Sequence, residues 1–591
     1  MPYLIFTIHM WLLKAMTGVY MHVSQADRLD IEATVEHYRR EIVRMSRILN
    51  AGSLVMRLPG ELLAHIFHFY CIAWHIESSS ERLRRRCGWI WLTHICHHWR
   101  EVALNTPSLW TEIDVACSTT FISAFISRSG ALPLQVQGSF VQWAEMSLET
   151  QRIRWDPLLR VSDRVYSLRV EILDFMPRFP SLRTSEQSFS ELKTLELRYM
   201  SYTPEDLPDI VPPSLPALSA LTTDWVSIHT IKRISCPSLT SLSLRDFGIA
   251  TSQDSETWTV LLQALAHMPK LAYLTLEDAF LLPPDFLDLP LLIGQAVTLP
   301  VLQSLRILSY PWFGAGAGLL LRNLCFPGNA PFEIRHANSF LSPAGSTQVE
   351  DEVRCLAVAL DLRLSGPIAL DLPPSILTLQ TRSRMVSQKF IAPANLDVIE
   401  LQGWSSVIDL DGCTLEADGG LIRETTSPNF VVEWCPAGGD IHMHLFRIQS
   451  FAQVRTLVID STMQSWLQPE YLSKGFIHMR QLSTLVVTGD SVETLLEGLL
   501  LVDQGETLFP SLKKLGIFDF DVADPNEYDL ALPCSPQRHE LLIGMAYGRD
   551  ALGYRLDMLR LTDCALSPRC AEQPRAYVGE LVWSGTRSRD S

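Results

Sequence analysis

Three blocks of sequence decide the first part of the fold, and they read LPGELLAHIF at 58–67, WLTHICHHWREVA at 91–103 and TPSLW at 106–110. Proline suits the first turn of a helix, and apolar residues four apart then form a stripe along one side. In the second block Trp91, Ile95 and Trp99 recur at steps of four, which predicts a second helix with an apolar face. A third short helix is expected to start at Pro107. The sequence therefore predicts a small helical bundle over residues 58–115, with more apolar surface than it can bury.

These blocks, in this order, resemble the F-box, in the form common among fungal F-box-like proteins. The resemblance rests on the leading Leu-Pro, on the aliphatic-Cys-x-x-Trp core at 95–99 and on the terminal Leu-Trp. F-boxes dock a Skp-family adaptor that links them to a cullin–RING ubiquitin ligase, so the resemblance implies both partners. Carried over by position, the expected adaptor-binding residues are Leu58, Pro59, Leu62, Ile66, Ile95, Cys96 and Trp99.

Each of these residues has a second interpretation, which is packing inside the bundle. For Ile66 and Trp99 both roles are plausible, because large apolar side chains serve cores and interfaces alike. An insertion from Tyr70 to Ile90 separates the first two blocks and departs from the family's pattern. It either leaves the helices intact or weakens the partner surface. Its arginine-rich run at 82–86 predicts a nuclear-import or phosphate-binding patch or, as is more common, a solvated loop.

The segment 24–50, before these blocks, has a helical pattern. Ser24 with Asp27 is a capping-box-like start, and the ending sequence at 50–53 makes a short linker. Its apolar residues alternate steps of four and three, as in a coiled coil, at Ile31, Val35, Tyr38, Ile42, Met45 and Leu49. The pattern indicates either a dimerising coiled coil or a helix packed on its own domain. With under three heptads, the second interpretation is favoured.

Residues 1–23 are predicted to be an apolar N-terminal tail. The run Tyr3–Leu13 is similar to the apolar part of a signal peptide, but no basic residue precedes it and no clear cleavage site follows. The run is also too short to span a bilayer as a helix. Secretion is therefore kept as an alternative, and the preferred expectation is a protein of the cytoplasm, the nucleus or both, with no membrane partner.

The charge of the chain is unevenly distributed. The formal net charge is −16, from 49 basic and 65 acidic residues. Residues 1–101 hold twelve basic and nine acidic residues, a net charge of +3, so the remainder carries −19. An acidic main body repels phosphate backbones, which argues against nucleic acid as a ligand. The twelve cysteines are scattered without a Cys-x-x-Cys pair, which favours reduced thiols in an intracellular protein.

From residue 120 to 570 the sequence is patterned by leucine. Triplets of the form L-x-x-L-x-L recur, and four of them follow a proline by two residues. Helical segments precede several triplets, and neighbouring ones are often 27 to 32 residues apart. Helix, proline break and short strand is the unit of a leucine-rich-repeat solenoid. The triplets begin at Val165, Leu192, Leu239, Leu271, Leu302, Leu396, Val454, Leu482, Leu512 and Leu556.

The repeats are expected to be irregular. The family's Asn or Cys at the ninth repeat position is mostly absent, and only Cys564 fits. A weak repeat is expected near Leu218 and Leu221, and the stretch 308–395 is expected to be an insertion or a break in the array. The fold class predicted is α/β (α+β), with a helical F-box bundle, an irregular solenoid and a C-terminal tail at 571–591.

A protein ligand is expected on the concave face of the solenoid. Side chains alternate along a strand, so the residues that flank the leucines point to that face. For any single residue, an ordinary solvated position is the more common outcome. The expected target-binding residues are Glu196, Arg198, Arg245, Tyr273, Glu277, Arg306 and Lys514.

Motifs that would indicate an enzyme are missing from the sequence. It contains no P-loop, no G-x-S-x-G elbow and no H-E-x-x-H. The histidines at 94–98 invite a zinc site, but Cys96 belongs on the buried face of the expected helix. We therefore expect no catalytic residues, no metal and no cofactor. The preferred function is a substrate adaptor of an SCF-type ligase, and the alternative is an interaction scaffold whose degenerate F-box does not join a ligase.

Overall fold

The structure is a computed structural model of the 591-residue chain. It describes residues 24–76, 88–139, 148–173, 189–200, 215–234, 236–246, 255–277, 296–309, 315–336, 347–365, 376, 378–387, 395–406, 410, 414–415, 421–422, 428–434, 443–461, 469–489, 491–500, 502–503, 506–520, 536–564 and 572–584. The apolar run at 3–13 and the arginine-rich run at 82–86 lie outside these residues. The chain divides into two compact units, Met1–Leu132 and Pro133–Ser591.

The first unit is helical, as expected for this part of the chain. Its α-helices are α1 (Gln25–Ala51), α2 (Gly60–Ile76), α3 (His97–Leu104) and α4 (Thr119–Arg128). The described residues of this unit also form short 3-10 helices and a strand: Leu54–Arg57, Gly88–His94, Pro107–Trp110 and β1 (Glu112–Asp114). The helix predicted from Pro107 is therefore confirmed, as a single 3-10 turn.

Helix α1 starts as its sequence predicts. The Ser24 side chain accepts a hydrogen bond from the backbone N–H of Asp27 at 3.1 Å, which caps the helix. However, no residue of this fully described helix is buried, and Tyr38 and Ile42 are 63% and 65% exposed. The prediction that α1 packs on its own domain is therefore wrong. Its heptad residues have no apolar surface against which to pack within this chain's described residues.

The second predicted helix is broken. Residues 88–94 form a 3-10 helix, and α3 begins only at His97, after Cys96 in an extended conformation. Trp91, Ile95 and Trp99 therefore do not share one helical face, and that prediction is wrong. The physical reason is local, because the Cys96 side chain accepts a hydrogen bond from the backbone N–H of Trp99 at 3.4 Å and so starts a new helix.

The second unit combines helices with many strands. Its helices are α5 (Leu148–Leu159), α6 (Ile228–Ile234), α7 (Ser255–Ala266), α8 (Ala315–Asn323), α9 (Thr347–Leu364), α10 (Met443–Phe446), α11 (Pro469–Phe476), α12 (Ser491–Leu500) and α13 (Pro536–Ala551). Its 3-10 helices include Ser162–Arg164, Gln449–Gln453 and Gln573–Tyr577.

The strands of the long sheet are β2 (Leu134–Ser139), β3 (Val165–Leu173), β4 (Thr194–Met200), β5 (Ala220–Asp224), β6 (Ser241–Arg245), β7 (Tyr273–Glu277), β9 (Ser304–Ser309), β11 (Phe332–His336), β12 (Thr378–Ser387), β13 (Asn395–Trp404), β16 (Phe430–Trp434), β17 (Thr456–Ser461), β18 (Thr484–Gly489), β21 (Lys514–Phe518), β22 (Leu556–Thr562) and β23 (Val578–Trp583). Separate two-stranded pairs are β8 (Val297–Thr298) with β10 (Leu324–Cys325), β14 (Thr414–Leu415) with β15 (Leu421–Ile422), and β19 (Val502–Asp503) with β20 (Glu506–Thr507).

All ten leucine triplets coincide with strands of this sheet. Near Leu218 and Leu221, where a weak repeat was expected, the sheet has a further strand, β5. In β5 and β6, buried and partly exposed residues alternate, with Leu221, Leu242 and Leu244 at most 1% exposed. The α/β class is thus confirmed, with a long and mostly parallel sheet.

The order of the strands follows the chain except in one place. From β2 to β11 each strand pairs in parallel with the next sheet strand, and the same holds from β17 to β23. Between these two runs the order is β11–β16–β13–β12–β17, and β13 is antiparallel to both of its neighbours. The first parallel run thus continues through β11 within the stretch 308–395, and the reversal lies over 378–434, so it overlaps only the end of the stretch where a break or insertion was expected.

Two buried arginines make the same kind of contact, in which a guanidinium near the end of a helix donates hydrogen bonds to backbone carbonyls. Arg549, near the end of α13, donates to the carbonyl oxygens of Leu508 and Phe509, both at 3.0 Å. Arg363, near the end of α9, likewise donates to the carbonyls at 326–327. Burial lowers the pKa of both guanidinium groups to about 10, so both stay charged at neutral pH. Each satisfies carbonyls of the turn that precedes a strand.

Candidate functional site

An exposed apolar stripe runs along α2 in the first unit. Leu63 and Phe67 are fully buried, whereas Leu62, Ile66 and Phe69 are 51%, 45% and 68% exposed. The three exposed residues are spaced by four and three, so they lie along one side of the helix. We call Leu62, Ile66 and Phe69 the α2 stripe. It leaves a continuous apolar surface available to another protein.

The other residues expected to bind an adaptor divide into two groups. Pro59 is exposed and Ile95 is 57% exposed, whereas Leu58, Cys96 and Trp99 are half-buried. The Trp99 ring packs on Phe67 with the ring centroids 5.2 Å apart, and Cys96 caps α3. Trp99 and Cys96 therefore hold α2 and α3 in position and do not extend the exposed apolar surface.

A cluster of aromatic rings supports this unit from within. Trp110 is 2% exposed, and its indole Nε1 donates to the Ala103 carbonyl at 2.8 Å. Its ring centroid lies 4.8 Å from that of Trp89 and 5.0 Å from that of Phe125, and the Arg128 guanidinium is 4.3 Å from the ring. The terminal Leu-Trp of the sequence pattern thus contributes to the core of this unit.

The second unit carries charges on the side of strands β3–β11 that faces away from the buried leucines, and we call this side the charged face. Cross-strand neighbours there alternate in sign along the register, in the order Glu171, Arg198, Asp224, Arg245 and Glu277. A second row, two residues earlier, starts with Arg169 and Glu196, passes through Thr222, Ser243 and Thr275, and ends with Arg306 and Glu333. Strands lie about 4.8 Å apart, so charged neighbours are within reach of one another.

The arginines of the charged face stand outward over less exposed carboxylates. Arg306 Nε lies 2.7 Å from Glu333, with side-chain exposures of 49% and 19%. Arg198 Nε lies 2.6 Å from Glu196 with 41% and 21%, and Arg245 pairs with Glu277 in the same way. The side chains of these three arginines are 41–51% exposed, so part of each guanidinium stays accessible to a partner. The face therefore presents oriented hydrogen-bond donors without a large net charge.

Two carboxyl groups of the charged face have shifted pKa values. For Glu333, burial acts to raise the pKa, but hydrogen bonds and charge attraction from Arg335 and Arg306 outweigh it, and the pKa is lowered. For Asp224, burial dominates over the attraction of Arg245 and Arg198, and the pKa is raised. Its Oδ1 atom is buried and has no hydrogen-bond partner among the residues that the structure describes.

Five of the expected target-binding residues come together on the charged face, namely Glu196, Arg198, Arg245, Glu277 and Arg306. Tyr273 lies on the same face at the start of β7, is 51% exposed, and donates its hydroxyl to the Gln303 side chain at 2.7 Å. Lys514 lies on β21, in the second parallel run, and is separated from this group by the reversal of strand order.

Sequence reasoning missed several members of this group. Arg169, Glu171 and Asp224 lie on strands that the leucine pattern had located, and Glu333 with Arg335 lie on β11, which has no leucine triplet. The signal that could have found the last pair is the alternation of charged residues around the apolar Ile334.

The histidines and acidic residues of the described part of the chain do not gather into a metal site. No group of three His, Cys, Asp or Glu side chains there could hold a metal ion. His97 instead lies 3.4 Å from Glu101, one turn along α3. Burial raises the pKa of the Cys71 and Cys564 thiols to about 12, so both thiols stay protonated at neutral pH.

A scan against models of known protein families finds no match for this chain, and a search of curated proteins finds no significantly similar sequence. Among the helices that the structure describes, none combines the length and the apolar character needed to cross a bilayer.

Proposed function

We propose that this chain is a non-catalytic substrate adaptor of an SCF-type cullin–RING ubiquitin ligase. In this proposal the first unit docks a Skp-family adaptor, which brings the cullin, and the charged face of the second unit holds the target protein. Ubiquitin transfer itself is done by the recruited enzymes, in the cytoplasm or the nucleus. The observation that carries the proposal is the α2 stripe, because Leu62 and Ile66 are exposed where the F-box resemblance expects the docking surface.

The charged face supports the second half of the proposal. Arginine and tyrosine are, with tryptophan, the residue types enriched at energetically important positions of protein interfaces. Here Tyr273 and the arginines Arg198, Arg245 and Arg306 are each about half exposed, and the arginines are held in place by carboxylates beneath them. Side chains that are already ordered lose less conformational entropy on binding, which suits a preformed protein-binding surface.

A binding measurement with the purified Skp-family adaptor tests the first half. We expect the wild-type chain to bind and the Leu62→Asp/Ile66→Asp variant to lose at least about a hundredfold in affinity, because two charges would enter an apolar interface. Leu552→Asp is the matched control, since Leu552 is 52% exposed in the second unit, and it should bind as wild type does. Absence of binding by wild type, or equal binding by all three chains, would contradict the adaptor role.

A second candidate function is an interaction scaffold that does not join a ligase. The break between the 3-10 helix Gly88–His94 and α3 favours it, because the residues of this block then do not form the single apolar helical face that their spacing predicted. Deleting residues 77–87, which lie between the described parts of the unit, separates the two functions. Recovery of adaptor binding on deletion would show an F-box blocked by its insertion, whereas continued absence would favour the scaffold.

A further inference from the structure

Helix α1 carries six apolar residues along one side, and we call them the α1 seam. Their spacing alternates between four and three residues, which is the spacing at which two helices pack side by side as a coiled coil. All six are between 43% and 78% exposed, and no residue of α1 is buried. The α1 seam is therefore uncovered by the residues that the structure describes. Its members are Ile31, Val35, Tyr38, Ile42, Met45 and Leu49.

The charges of α1 are divided between its two halves. Residues 25–37 hold four acidic residues and one arginine, a net charge of −3, and residues 38–51 hold four arginines and one glutamate, a net charge of +3. The helix dipole does not account for this division, because it acts within the first and last turns. The acidic residue of the first turn is Asp27 alone, and the last turn holds no basic residue. A surface charged in this way is complementary to a helix whose charges run in the opposite order.

A second copy of α1, laid antiparallel, has its charges in that order. The negative half of each helix then lies beside the positive half of the other. Packed helices lie about 8–10 Å apart, which is close to the Debye length at physiological ionic strength, so the two halves attract each other. In a parallel pair, by contrast, halves of like charge would lie side by side.

The α1 seam has a register that suits the same orientation. Its steps of four, three, four, three and four residues read the same in both directions, so the seam of an inverted copy matches it. An antiparallel pair centred on Arg40 gives every seam residue an apolar partner, and each contact occurs twice about a twofold axis. The facing pairs are Ile31 with Leu49, Val35 with Met45, and Tyr38 with Ile42.

Like charges meet only close to this axis, where Arg39 lies beside Arg39 of the other copy and Glu41 beside Glu41. Each of them has an opposite charge on its own helix. Arg39 lies 3.8 Å from Glu36, and Glu41 lies 3.0 Å from Arg44. The Arg39 and Glu41 side chains are also 73% and 44% exposed, so solvent screens their repulsion. The opposite net charges of the two halves therefore favour the antiparallel pair.

We propose that two copies of this chain associate through an antiparallel pair of α1 helices, with the α1 seam as their common interface. The partner is a second copy, because α1 itself supplies both the matching apolar register and the reversed order of charge. Such a dimer carries two α2 stripes and two charged faces, which allows bivalent binding. The interface lies on α1 alone and does not depend on the adaptor role.

Sedimentation equilibrium of the full chain tests the association. We expect wild type to be a dimer at micromolar concentration, and Tyr38→Glu/Ile42→Glu to dimerise at least about a hundredfold more weakly, because charges would enter the centre of an apolar interface. Leu552→Glu, an exposed leucine of the second unit, is the matched control and should dimerise as wild type does. Dilute, monomeric protein does not contain this interface, so seam substitutions leave its unfolding unchanged.

Two outcomes of this measurement would overturn the proposal. One is a wild type that stays monomeric up to about 100 μM, as expected if another segment, such as residues 3–13, covers the α1 seam. The other is a seam variant that dimerises as strongly as wild type does.

Engineered cysteines test the orientation. Ile31→Cys/Leu49→Cys places thiols opposite each other across an antiparallel pair, so mild oxidation with diamide should give a disulfide-linked dimer. The two positions are about 27 Å apart along one helix and cannot link within one chain. Each single variant should link no more than wild type does, which gives the background from the native cysteines. Linked dimers of the single variants at the expense of the double variant would indicate a parallel pair and would contradict the antiparallel arrangement.

The charge division has its own test. Arg40→Glu/Arg44→Glu/Arg47→Glu changes the net charge of residues 38–51 from +3 to −3 without altering the α1 seam. We expect this variant to dimerise at least about tenfold more weakly at low ionic strength, and wild-type dimerisation to weaken as salt is added. The same three positions changed to lysine keep the charge and should leave dimerisation unchanged. Equal dimerisation of the glutamate and lysine variants would contradict the role of the two charged halves.

Discussion

Asp224 is an acidic residue whose two register neighbours, Arg198 and Arg245, are both arginines. Two cations would ordinarily lower the pKa of a carboxyl group, yet burial raises the pKa of this one above its usual value. Both arginines are instead paired with glutamates, Glu196 and Glu277, and those pairs take up part of their charge. At the scale of single residues, the charged face is therefore a set of paired charges, and Asp224 is a carboxyl group whose burial outweighs the attraction of its two arginine neighbours.

This imbalance predicts the effect of Asp224→Asn. A carboxyl group with a raised pKa in the folded state costs stability once pH rises above its unfolded pKa, because the unfolded chain ionises more easily. We expect Asp224→Asn to raise the free energy of unfolding at neutral pH and to leave it unchanged at pH values below the usual pKa of aspartate. Urea unfolding at several pH values measures this. Lower stability of Asp224→Asn at neutral pH would instead indicate a favourable ion pair.

Single residues also mark the limit of prediction from sequence. The alternation of strand side chains correctly places Glu196 and Arg198 on one face with Arg245 and Glu277. The α2 stripe is less predictable, because adjacent leucines such as Leu62 and Leu63 differ in exposure only through the helix that packs on one of them. The hydrogen bond from Arg560 to the Leu410 carbonyl oxygen was beyond sequence reasoning, because it joins residues 150 positions apart.

Helix α1 illustrates the scale of the element. Its 27 residues are stabilised locally, by the Ser24 cap and by ion pairs such as Arg28–Glu32 and Arg44–Glu41, both at 3.0 Å. These ion pairs are well exposed to solvent, so each contributes little to the free energy of unfolding. The heptad pattern predicted the helix and the residue at which it starts. It did not predict what α1 packs against, because an apolar seam can pack equally well on a domain surface or on a second helix. The strands were better predicted, because apolar residues that alternate with a period of two, and a proline shortly before four of the triplets, have few alternative structural interpretations.

The exposure of α1 leads to a direct prediction. Ile42→Glu replaces an apolar residue that is 65% exposed, so we expect it to change the free energy of unfolding by no more than about 0.5 kcal/mol. Leu63→Ala in α2 is the comparison, because Leu63 is fully buried and its truncation should cost about 2–5 kcal/mol. Chemical denaturation of both variants beside wild type provides the measurement. A loss of several kcal/mol for Ile42→Glu would mean that α1 is covered after all.

At the scale of the whole second unit, the reversal of strand order holds two parallel runs in one sheet. Strand β13 pairs antiparallel with β12 on one side and with β16 on the other, so β16 can continue the first run and β12 can begin the second. Phe430 of β16 stacks on Phe332 and Phe451, with ring centroids 5.6 and 6.1 Å apart. The leucine spacing indicated an interruption before residue 395 but could not give this order or its extent to 434, because strand pairing between distant segments leaves no periodic signal.

The reversed strands include one close contact, between Gly403 and Phe430, which predicts the effect of Gly403→Ala. Gly403 of β13 faces Phe430 in the register, and a Cβ atom there would collide with the phenyl ring. We expect Gly403→Ala to destabilise the protein by about 1–3 kcal/mol, and Phe430→Leu to offset part of that cost in the double variant. A double-mutant cycle by denaturant unfolding measures the coupling. Strict additivity of the two changes would contradict the contact.

The reversal of strand order also affects which strands can pair while the chain is being translated. As the chain emerges from the ribosome, each sheet strand from β3 to β11 can pair with one that is already present, so the first run grows step by step. After His336 this stops, because the next partner of β11 is β16, which ends at Trp434. For roughly a hundred residues of translation the nascent sheet therefore keeps β11 as an open edge, the feature that most readily recruits a foreign strand.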